Sequence, residues 1–281
     1  MNTSLTDNVL TVRLDGIGAG WQQYIMLCSD QHHDSPYCNR KLEKAHLDKA
    51  MDRDALIFFG GDTFDAMQGK HDPRANYDHL EPFLKRDNYF DAIVEYNAAF
   101  YKPYASNIVM IGNGNHESDV LKHHNISLVD RLAAELNRAN GQVHVGGYGT
   151  WVRFMLKVST RNLSFNMKYY HGSGGEAPVT RGAIQTARQA VFLPDADIVW
   201  NGHSHQDYVI AVPRERLSGK GKLYRDTQWH IRTPGYNDEY QNGAGGWAVE
   251  KGLTPKSLGC VWLKFYFDGD GVGIIAEQEI R

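Results

Sequence analysis

The sequence has few cysteines: three in 281 residues, Cys28, Cys38 and Cys260. Their number is odd, they lie far apart and none belongs to a Cys-x-x-Cys pair. This argues against a disulfide framework and against a metal site built from thiolates. A reducing compartment is the simpler interpretation, so we expect a cytoplasmic protein.

Long apolar runs and an excess of charge are also absent. No stretch approaches the ~20 apolar residues that a membrane-spanning helix needs. The first twenty residues carry Asp7, Arg13 and Asp15 and do not resemble a secretory signal. The formal net charge is -3, which gives no global field to attract nucleic acid or an anionic membrane. We therefore expect no membrane partner, and the sequence predicts no oligomeric state.

Short apolar runs predict strands at residues 9–13, 24–28, 55–59, 107–111, 142–145, 151–158, 163–170 and 197–200. Apolar residues at helical spacing predict helices at residues 39–53, 91–105 and 126–139. After Asp207 the pattern changes to strands separated by turns, at residues 208–212, 222–232, 258–267 and 272–280. We predict an α/β fold with antiparallel additions, in one domain spanning residues 1–281.

Three segments without clear periodicity are predicted to be loops: residues 67–86, 171–181 and 233–247. Loops of this length inside a compact domain often bind ligands. We expect substrate contacts there.

Polar residues follow five of the predicted strands at the point where each strand ends. They are Asp30 and His32, then Asp62 and Asp65, then Asn115 and His116, then His171, and last His203 and His205. The carboxyl ends of strands in open α/β sheets form the crevice in which ligands bind. Positions far apart in the sequence are therefore expected to meet.

The residue types in these blocks favour one kind of ligand. Carboxylate, amide oxygen and imidazole without thiolate suit divalent ions such as Mn, Fe, Zn or Ni. A carboxylate can bridge two ions, because each of its oxygens accepts independently. Two cations about 3.5–4 Å apart can clamp a phosphoryl group and lower the pKa of a bound water. The blocks therefore indicate hydrolysis of phosphate esters.

In this order, the five blocks resemble those of calcineurin-like metallophosphoesterases. They read Asp30-x-His32, Gly61-Asp62-x-x-Asp65, Gly114-Asn115-His116-Glu117, His171 and Gly202-His203-x-His205. The match spans residues 30 to 205 and is specific, because order, spacing and strand context agree. The resemblance implies a two-sheet β-sandwich flanked by helices on both sides, a four-layer αββα fold.

The resemblance also implies the metal ligands. One ion is held by Asp30, His32 and His205, the other by Asn115, His171 and His203, and Asp62 bridges the two. Manganese is our first expectation for both ions, with Fe, Zn or Ni as alternatives. His116 would stabilise the phosphate and protonate the leaving oxygen, while a metal-bound hydroxide attacks.

Two further residues are candidates. Asp65 could accept a hydrogen bond from a ligand histidine and fix its tautomer, or could be a turn residue. Arg181 follows a glycine-rich segment and could hold a substrate anion, or could lie in a loop before a capped helix. Five neighbours receive no role, because the ligand set is complete without them and nearby histidines are usually solvated: His33, Asp34, Asn113, His123 and His124.

Our leading functional hypothesis is a phosphodiesterase acting on nucleotides or nucleic acid. After Asp65 the protein Ser/Thr phosphatases would be expected to continue with Arg-Gly, whereas this chain has Ala66-Met67. The block from Gly61 to Asp65 looks more like the nuclease and small-phosphodiesterase branches. Binding of nucleic acid needs clustered Lys and Arg, and only residues 214–225 come close. A phosphomonoesterase and a catalytically inactive binding scaffold are the alternatives, the second disfavoured by the complete ligand set.

Overall fold

The computed structural model describes residues 2–68, 75, 80–175, 179–180, 182–241, 243–244 and 247–281. Its strands are β1 (Asn2–Thr6), β2 (Val9–Ile17), β3 (Gln22–Cys28), β4 (Leu56–Phe59), β5 (Ile108–Ile111), β6 (His144–Val145), β7 (Gly149–Val158), β8 (Arg161–Tyr170), β9 (Ile198–Asn201), β10 (Tyr208–Leu217), β11 (Leu223–Arg232), β12 (Gly259–Phe267) and β13 (Val272–Ile280). Its α-helices are α1 (Arg40–Asp52), α2 (Tyr89–Tyr101), α3 (Asn115–His124), α4 (Leu128–Arg138), α5 (Ala183–Phe192) and α6 (Trp247–Glu250). Short 3-10 turns lie at Pro82–Leu84 and Lys102–Tyr104.

The strands form two sheets. One has the order β13-β12-β3-β4-β5-β6, in which β3, β4, β5 and β6 are parallel and β12 and β13 add in antiparallel fashion. The other has the order β1-β2-β7-β8-β9-β11-β10, in which β8, β9 and β11 are parallel. Connections between parallel strands start at the same sheet edge, so both sheets direct several loops toward one edge.

The central strands of the six-stranded sheet are buried on both faces. Ile25 and Phe58 face the seven-stranded sheet, where Phe58 packs against Phe154 with ring centroids 6.0 Å apart. Met26 and Phe59 point the opposite way, into a second core with the helices. Successive side chains of a strand alternate between faces, so continuous apolar runs give two cores. This is why these strands could be predicted from apolar runs alone.

Two of the helices, α1 and α4, begin where a side chain accepts a backbone N–H group of the first turn. In α1 the Asn39 side chain accepts the Leu42 N–H at 3.1 Å. In α4 the Ser127 hydroxyl accepts the Asp130 N–H at 3.3 Å. Both are typical N-cap residues. The predicted helices at 39–53, 91–105 and 126–139 are confirmed to within a few residues.

On the other side of the sandwich, α5 lies beside the seven-stranded sheet. The hydroxyl of its buried Thr186 donates to the Tyr208 hydroxyl of β10 at 3.0 Å. Residues of α1, α2 and α4 pack on the six-stranded sheet. The predicted α/β architecture of two sheets flanked by helices is confirmed.

Among the strands and α-helices, β1, α3 and α6 were not predicted, and α5 was considered only as a capped helix that follows Arg181. The segment of β1 is mostly polar and α3 has few apolar residues, so neither carries the periodicity that identifies an element. Half of the predicted loop at 67–86 lies outside the described residues. The three cysteines are unpaired and buried. No helix in the described part of the chain has the length and hydrophobicity needed to cross a bilayer.

Candidate metal centre

The five polar blocks meet at one edge of the sandwich, as predicted from their positions at the ends of strands. Hydrogen bonds beyond the strands join the loops that carry them. Asp30 N donates to Gly61 O at 2.9 Å, and His32 N donates to Asp62 O at 3.0 Å. Gly202 N donates to His171 O at 2.8 Å. The parallel pairing of β3 with β4, and of β8 with β9, therefore continues into the site.

Asp30, His32 and His205 form one group of potential ligands, whose ligand atoms all lie within 4.8 Å of one another. His205 Nε2 is 3.4 Å from Asp30 Oδ1. All three side chains are buried. Asp30 also accepts the His203 N–H at 2.9 Å, which joins this group to the loop of the next one.

Asp62, His171 and His203 form a second group of potential ligands, whose ligand atoms also lie within 4.8 Å of one another. His171 Nε2 is 3.2 Å from Asp62 Oδ2. The amide oxygen of Asn115 is 2.8 Å from His203 Nδ1 and 3.3 Å from His171 Nε2. The structure thus brings together all seven residues predicted as ligands.

Hydrogen bonds fix which nitrogen faces the site in two of the imidazoles, His171 and His32. His171 Nδ1 donates to the Gly60 carbonyl oxygen at 2.7 Å, and a carbonyl can only accept, so Nε2 is the nitrogen directed toward Asp62. His32 Nδ1 lies 3.0 Å from Asp65 Oδ1, and its buried Nε2 has no hydrogen-bond partner among the described residues. Asp65 contacts His32 as predicted, and an unpartnered nitrogen in a group of oxygen and nitrogen donors fits a divalent cation.

Most of these ligands sit on strained backbone. Five have φ in the left-handed region: Asp30 (55°), His32 (44°), Asp62 (51°), His203 (72°) and His205 (54°). Residues with side chains rarely adopt this conformation, which costs about 1–3 kcal/mol each and concentrates at functional sites. The inter-loop hydrogen bonds described above hold this geometry.

The carboxylates and imidazoles of the site perturb one another. Burial opposes ionisation of Asp30, but His205 outweighs it and lowers the pKa of Asp30 to about 2. Burial opposes protonation of His32, but the hydrogen bond that His32 donates to Asp65 outweighs it and raises the pKa of His32 to about 10. Burial also opposes protonation of His171, but the negative charge of Asp62 outweighs it and raises the pKa of His171 to about 9. Without metal, protons on these two histidines supply the positive charge that the buried carboxylates require.

His116 stands beside the first group of ligands. Its ring centroid is 4.6 Å from that of His32, and its Nδ1 donates to the Asp65 carbonyl oxygen at 2.5 Å. Its backbone N–H donates to Asp62 Oδ1 at 3.0 Å, as the N-terminus of α3 meets the carboxylate. His116 is thus placed next to the ligand groups, where the sequence predicted it.

Two carboxylates that received no role in the sequence analysis support the site. Both oxygens of buried Asp34 accept backbone N–H groups, from Asp65 at 2.7 Å and from Ala66 at 2.9 Å. Glu117 accepts the N–H groups of Asp62, Phe64 and Gly114 at 3.0, 3.0 and 2.8 Å. Burial and the Asp62 charge raise the pKa of Glu117 to about 7. The only signal in the sequence was a Glu three residues after the helix cap, which is typical of a capping box.

Our expectation that neighbouring histidines are solvated is wrong for His33. It is fully buried, and its Nδ1 lies 2.8 Å from Glu43 Oε2. His33, Cys38 and Glu43 form a further group with ligand-like spacing. Burial followed by the charge of Glu43 raises the pKa of the Cys38 thiol, which disfavours the thiolate that would bind a metal. His123 is exposed, as expected, and Arg181 lies outside the described residues.

No family model matches the sequence, and no curated protein matches it. Solved structures do match. Vacuolar protein sorting 29 from Cryptosporidium parvum is 12% identical, with 92% of this chain and 99% of that chain covered and a TM-score of 0.39. A predicted phosphoesterase from Streptococcus pneumoniae is 12% identical, with 94% and 100% covered and a TM-score of 0.34. A candidate 5'-nucleotidase from Staphylococcus aureus is 13% identical, with 92% and 54% covered and a TM-score of 0.48.

The chemistry is inferred from the residues of the site itself. The five blocks converge at one edge of a two-sheet sandwich, in the order and context of the sequence match. The structure therefore brings the five blocks together, as the resemblance to calcineurin-like metallophosphoesterases implies.

Proposed function

We propose that the chain is a dinuclear metal-dependent phosphoesterase whose single domain spans residues 1–281. The observation that carries the proposal is a pair of adjacent groups of potential ligands at the strand ends of a two-sheet sandwich. In each group the ligand atoms all lie within 4.8 Å of one another. Three cysteines without disulfides agree with the cytoplasmic location that we also propose.

In this proposal Asp30, His32 and His205 hold one divalent ion, and Asn115, His171 and His203 hold the other. Asp62 serves both, which is supported by its contact with His171 and by its charge acting on His32. Manganese is our first choice, since the donors are carboxylate and amide oxygen with imidazole. When bound, two such ions supply Lewis acidity toward phosphoryl oxygens and a water of lowered pKa.

The protein's own residues orient the substrate and move the proton. His116 Nδ1 already donates to the Asp65 carbonyl, so proton exchange with the leaving oxygen would use Nε2. The Asp65 side chain also contacts His32, and Asp34 accepts the Asp65 backbone N–H. Asp65 therefore orients both the proposed ligand His32 and the proposed acid His116. The burial of the carboxylates excludes water that would weaken these interactions.

Within the class we propose a phosphodiesterase, with small nucleotide diesters preferred over nucleic acid. The basic stretch 214–225 lies on the β10–β11 hairpin. Arg214 is paired with Asp226 at 2.7 Å and Asp197 at 3.2 Å, and Arg216 lies 3.8 Å from Asp226. Cations already neutralised by protein carboxylates contribute little to binding a phosphate backbone. Arg181 stays a predicted substrate contact.

The test is metal analysis of the purified chain, combined with hydrolysis of an aryl phosphodiester and an aryl phosphomonoester. We expect about two divalent ions per chain and faster cleavage of the diester. Asp62→Asn should lose metal and activity, whereas Asp119→Asn, at an exposed position of α3, should keep both. Cleavage of the monoester alone would favour a phosphatase. Failure to cleave either ester with Mn, Fe, Zn or Ni would disprove the enzymatic proposal.

A further inference from the structure

Arg232 is a buried cation at the edge of the sandwich that carries the metal ligands. It is the last residue of β11, and it pairs in register with Asn201, the last residue of the parallel strand β9. The loop after β9 contains His203 and His205. The side chain of Arg232 is 5% exposed. The guanidinium therefore lies next to the proposed metal centre and is shielded from bulk water.

No carboxylate in the described part of the chain pairs with Arg232. Its Nη1 donates to the Ser204 hydroxyl at 3.1 Å, and its Nη2 donates to the Gln185 side-chain oxygen at 2.5 Å. The guanidinium carbon lies 5.1 Å from the centroid of the Tyr208 ring. Among the residues that the structure describes, the buried Nε has no hydrogen-bond partner. Every described neighbour that accepts from Arg232 is thus neutral, and one donor is left unsatisfied by them.

Arg214 of the neighbouring strand β10 shows the usual arrangement. Its Nε and Nη2 donate to the two oxygens of Asp226, and Nη2 also reaches Asp197. A buried guanidinium without such a counter-charge is costly, and proteins keep one mainly where an anion is bound. The contrast between two arginines of one hairpin marks Arg232 as the exceptional one.

The N-terminus of α5 adds a second positive centre at the same place. A Cβ added at Gly182, the residue before the helix, would lie 3.1 Å from Arg232 Nη1. α5 has ten residues, so the partial positive charge of its N-terminus adds to that of the guanidinium. An anion between them would satisfy both.

We propose that Arg232 and the N-terminus of α5 form an anion subsite for a phosphate of the substrate other than the one that is cleaved. Ser204 places the subsite beside the metal ligands, because it stands between His203 and His205 and accepts from Arg232. The amide oxygen of Gln185 occupies the position of an anion oxygen, and this half-buried side chain is displaced when the anion binds. The substrate class, which rests on the proposed function, is a phosphodiester with an additional terminal phosphate.

The first experiment measures inorganic phosphate binding by calorimetry to the full chain in EDTA, without any hydrolysis. Arg232→Gln should weaken binding by about tenfold or more, as expected for loss of a hydrogen-bonded charge. Arg216→Gln, on the same hairpin, is the matched control and should bind like the wild type. Equal phosphate affinity in the wild type and Arg232→Gln would overturn the proposal.

A second variant keeps the test decisive if Arg232→Gln does not fold. Gln185→Ala removes the neutral oxygen from the guanidinium and should tighten phosphate binding. A purely structural Arg232–Gln185 contact predicts lower thermal stability with no gain in phosphate affinity, and this result would also overturn the proposal.

The substrate class is tested with a thymidine dinucleotide with and without a 5'-phosphate. The wild type should prefer the phosphorylated dinucleotide. Arg232→Lys should reduce the ratio of kcat/KM for the phosphorylated to that for the unphosphorylated dinucleotide about tenfold, since lysine lacks the planar guanidinium that binds a phosphate through two N–H groups. An unchanged ratio would reject the substrate class. If neither dinucleotide is cleaved although the aryl diester is, the substrate class is rejected; if no ester of any kind is cleaved, the proposed function fails, while the phosphate titration still decides the anion subsite.

Discussion

The carboxylate of Glu117 accepts the backbone N–H of Asp62 at 3.0 Å, although 55 residues separate them. Glu117 directly follows the proposed acid His116 and also accepts the N–H of Gly114. One side chain thus ties the loop after β4 to the start of α3. Asp62 and His116, the proposed bridging carboxylate and the proposed acid, are thus held by the same residue.

Replacing Glu117 by glutamine should weaken metal binding about 10–100-fold, the usual effect of losing a group that orients a metal ligand. The glutamine amide can accept through one oxygen only, whereas Glu117 uses both. Metal affinity is measured by competition with a chelating dye. Asp119→Asn on the same helix is the control, since Asp119 is exposed. Unchanged affinity in Glu117→Gln would show that the Asp62 loop is held in other ways.

The close approach of Gly114 to Asp62 predicts a second sensitive position. A Cβ at Gly114 would lie 2.0 Å from Asp62 Oδ1 and 2.5 Å from Asp62 N, where no carbon fits. Gly114→Ala should therefore displace the Asp62 carboxylate, the proposed bridging ligand, and lower metal affinity by at least about tenfold. Gly175→Ala, whose Cβ would meet nothing within 4 Å, should bind metal normally. Similar metal content in both variants would contradict the role given to Asp62.

The sequence predicted most strands, and the meeting of the seven candidate ligands at one edge, for a physical reason, while their assignment as ligands came from the family resemblance and stays a prediction. Buried parallel strands are apolar runs, and the polar residues directly after them must lie at the sheet edge. Asp34 and Glu117 could not be found in this way, because their partners are backbone N–H groups of other loops. Such partners become visible only when the loops are placed together. Arg232 was missed because its alternating strand sequence suits an ordinary exposed strand equally well.

His116→Asn tests the assignment of the acid. Asparagine cannot exchange a proton, so we expect kcat for esters with poor leaving groups to fall about 10²–10⁴-fold, with a smaller loss for nitrophenyl esters. Metal content should be preserved, since the seven ligands remain. His123→Asn, at an exposed position of the same helix, should behave like the wild type. Collapse of the metal content would instead make His116 a ligand.

Metal binding should release protons, because the site holds protons where the ions bind. The pKa values of His32 and His171 are raised to about 10 and about 9 in the metal-free protein, so both are protonated at pH 7. A ligand histidine must be neutral, and binding at pH 7 should release about two protons. Calorimetric titration in two buffers of different ionisation enthalpy measures this number. A binding enthalpy independent of the buffer would contradict it.

The same two histidines set the pH dependence of the metal-free protein. Their folded pKa values lie above the unfolded value near 6.5, so the folded chain binds more protons than the unfolded chain between about pH 6.5 and 10. Their contribution to stability is complete below pH 6.5 and is lost as the pH rises through about 9 and 10. The Tm in EDTA should therefore fall between pH 7 and 10. With metal present this fall should shrink, since the ions replace the protons, and the same fall with and without metal would argue that no ion occupies the site.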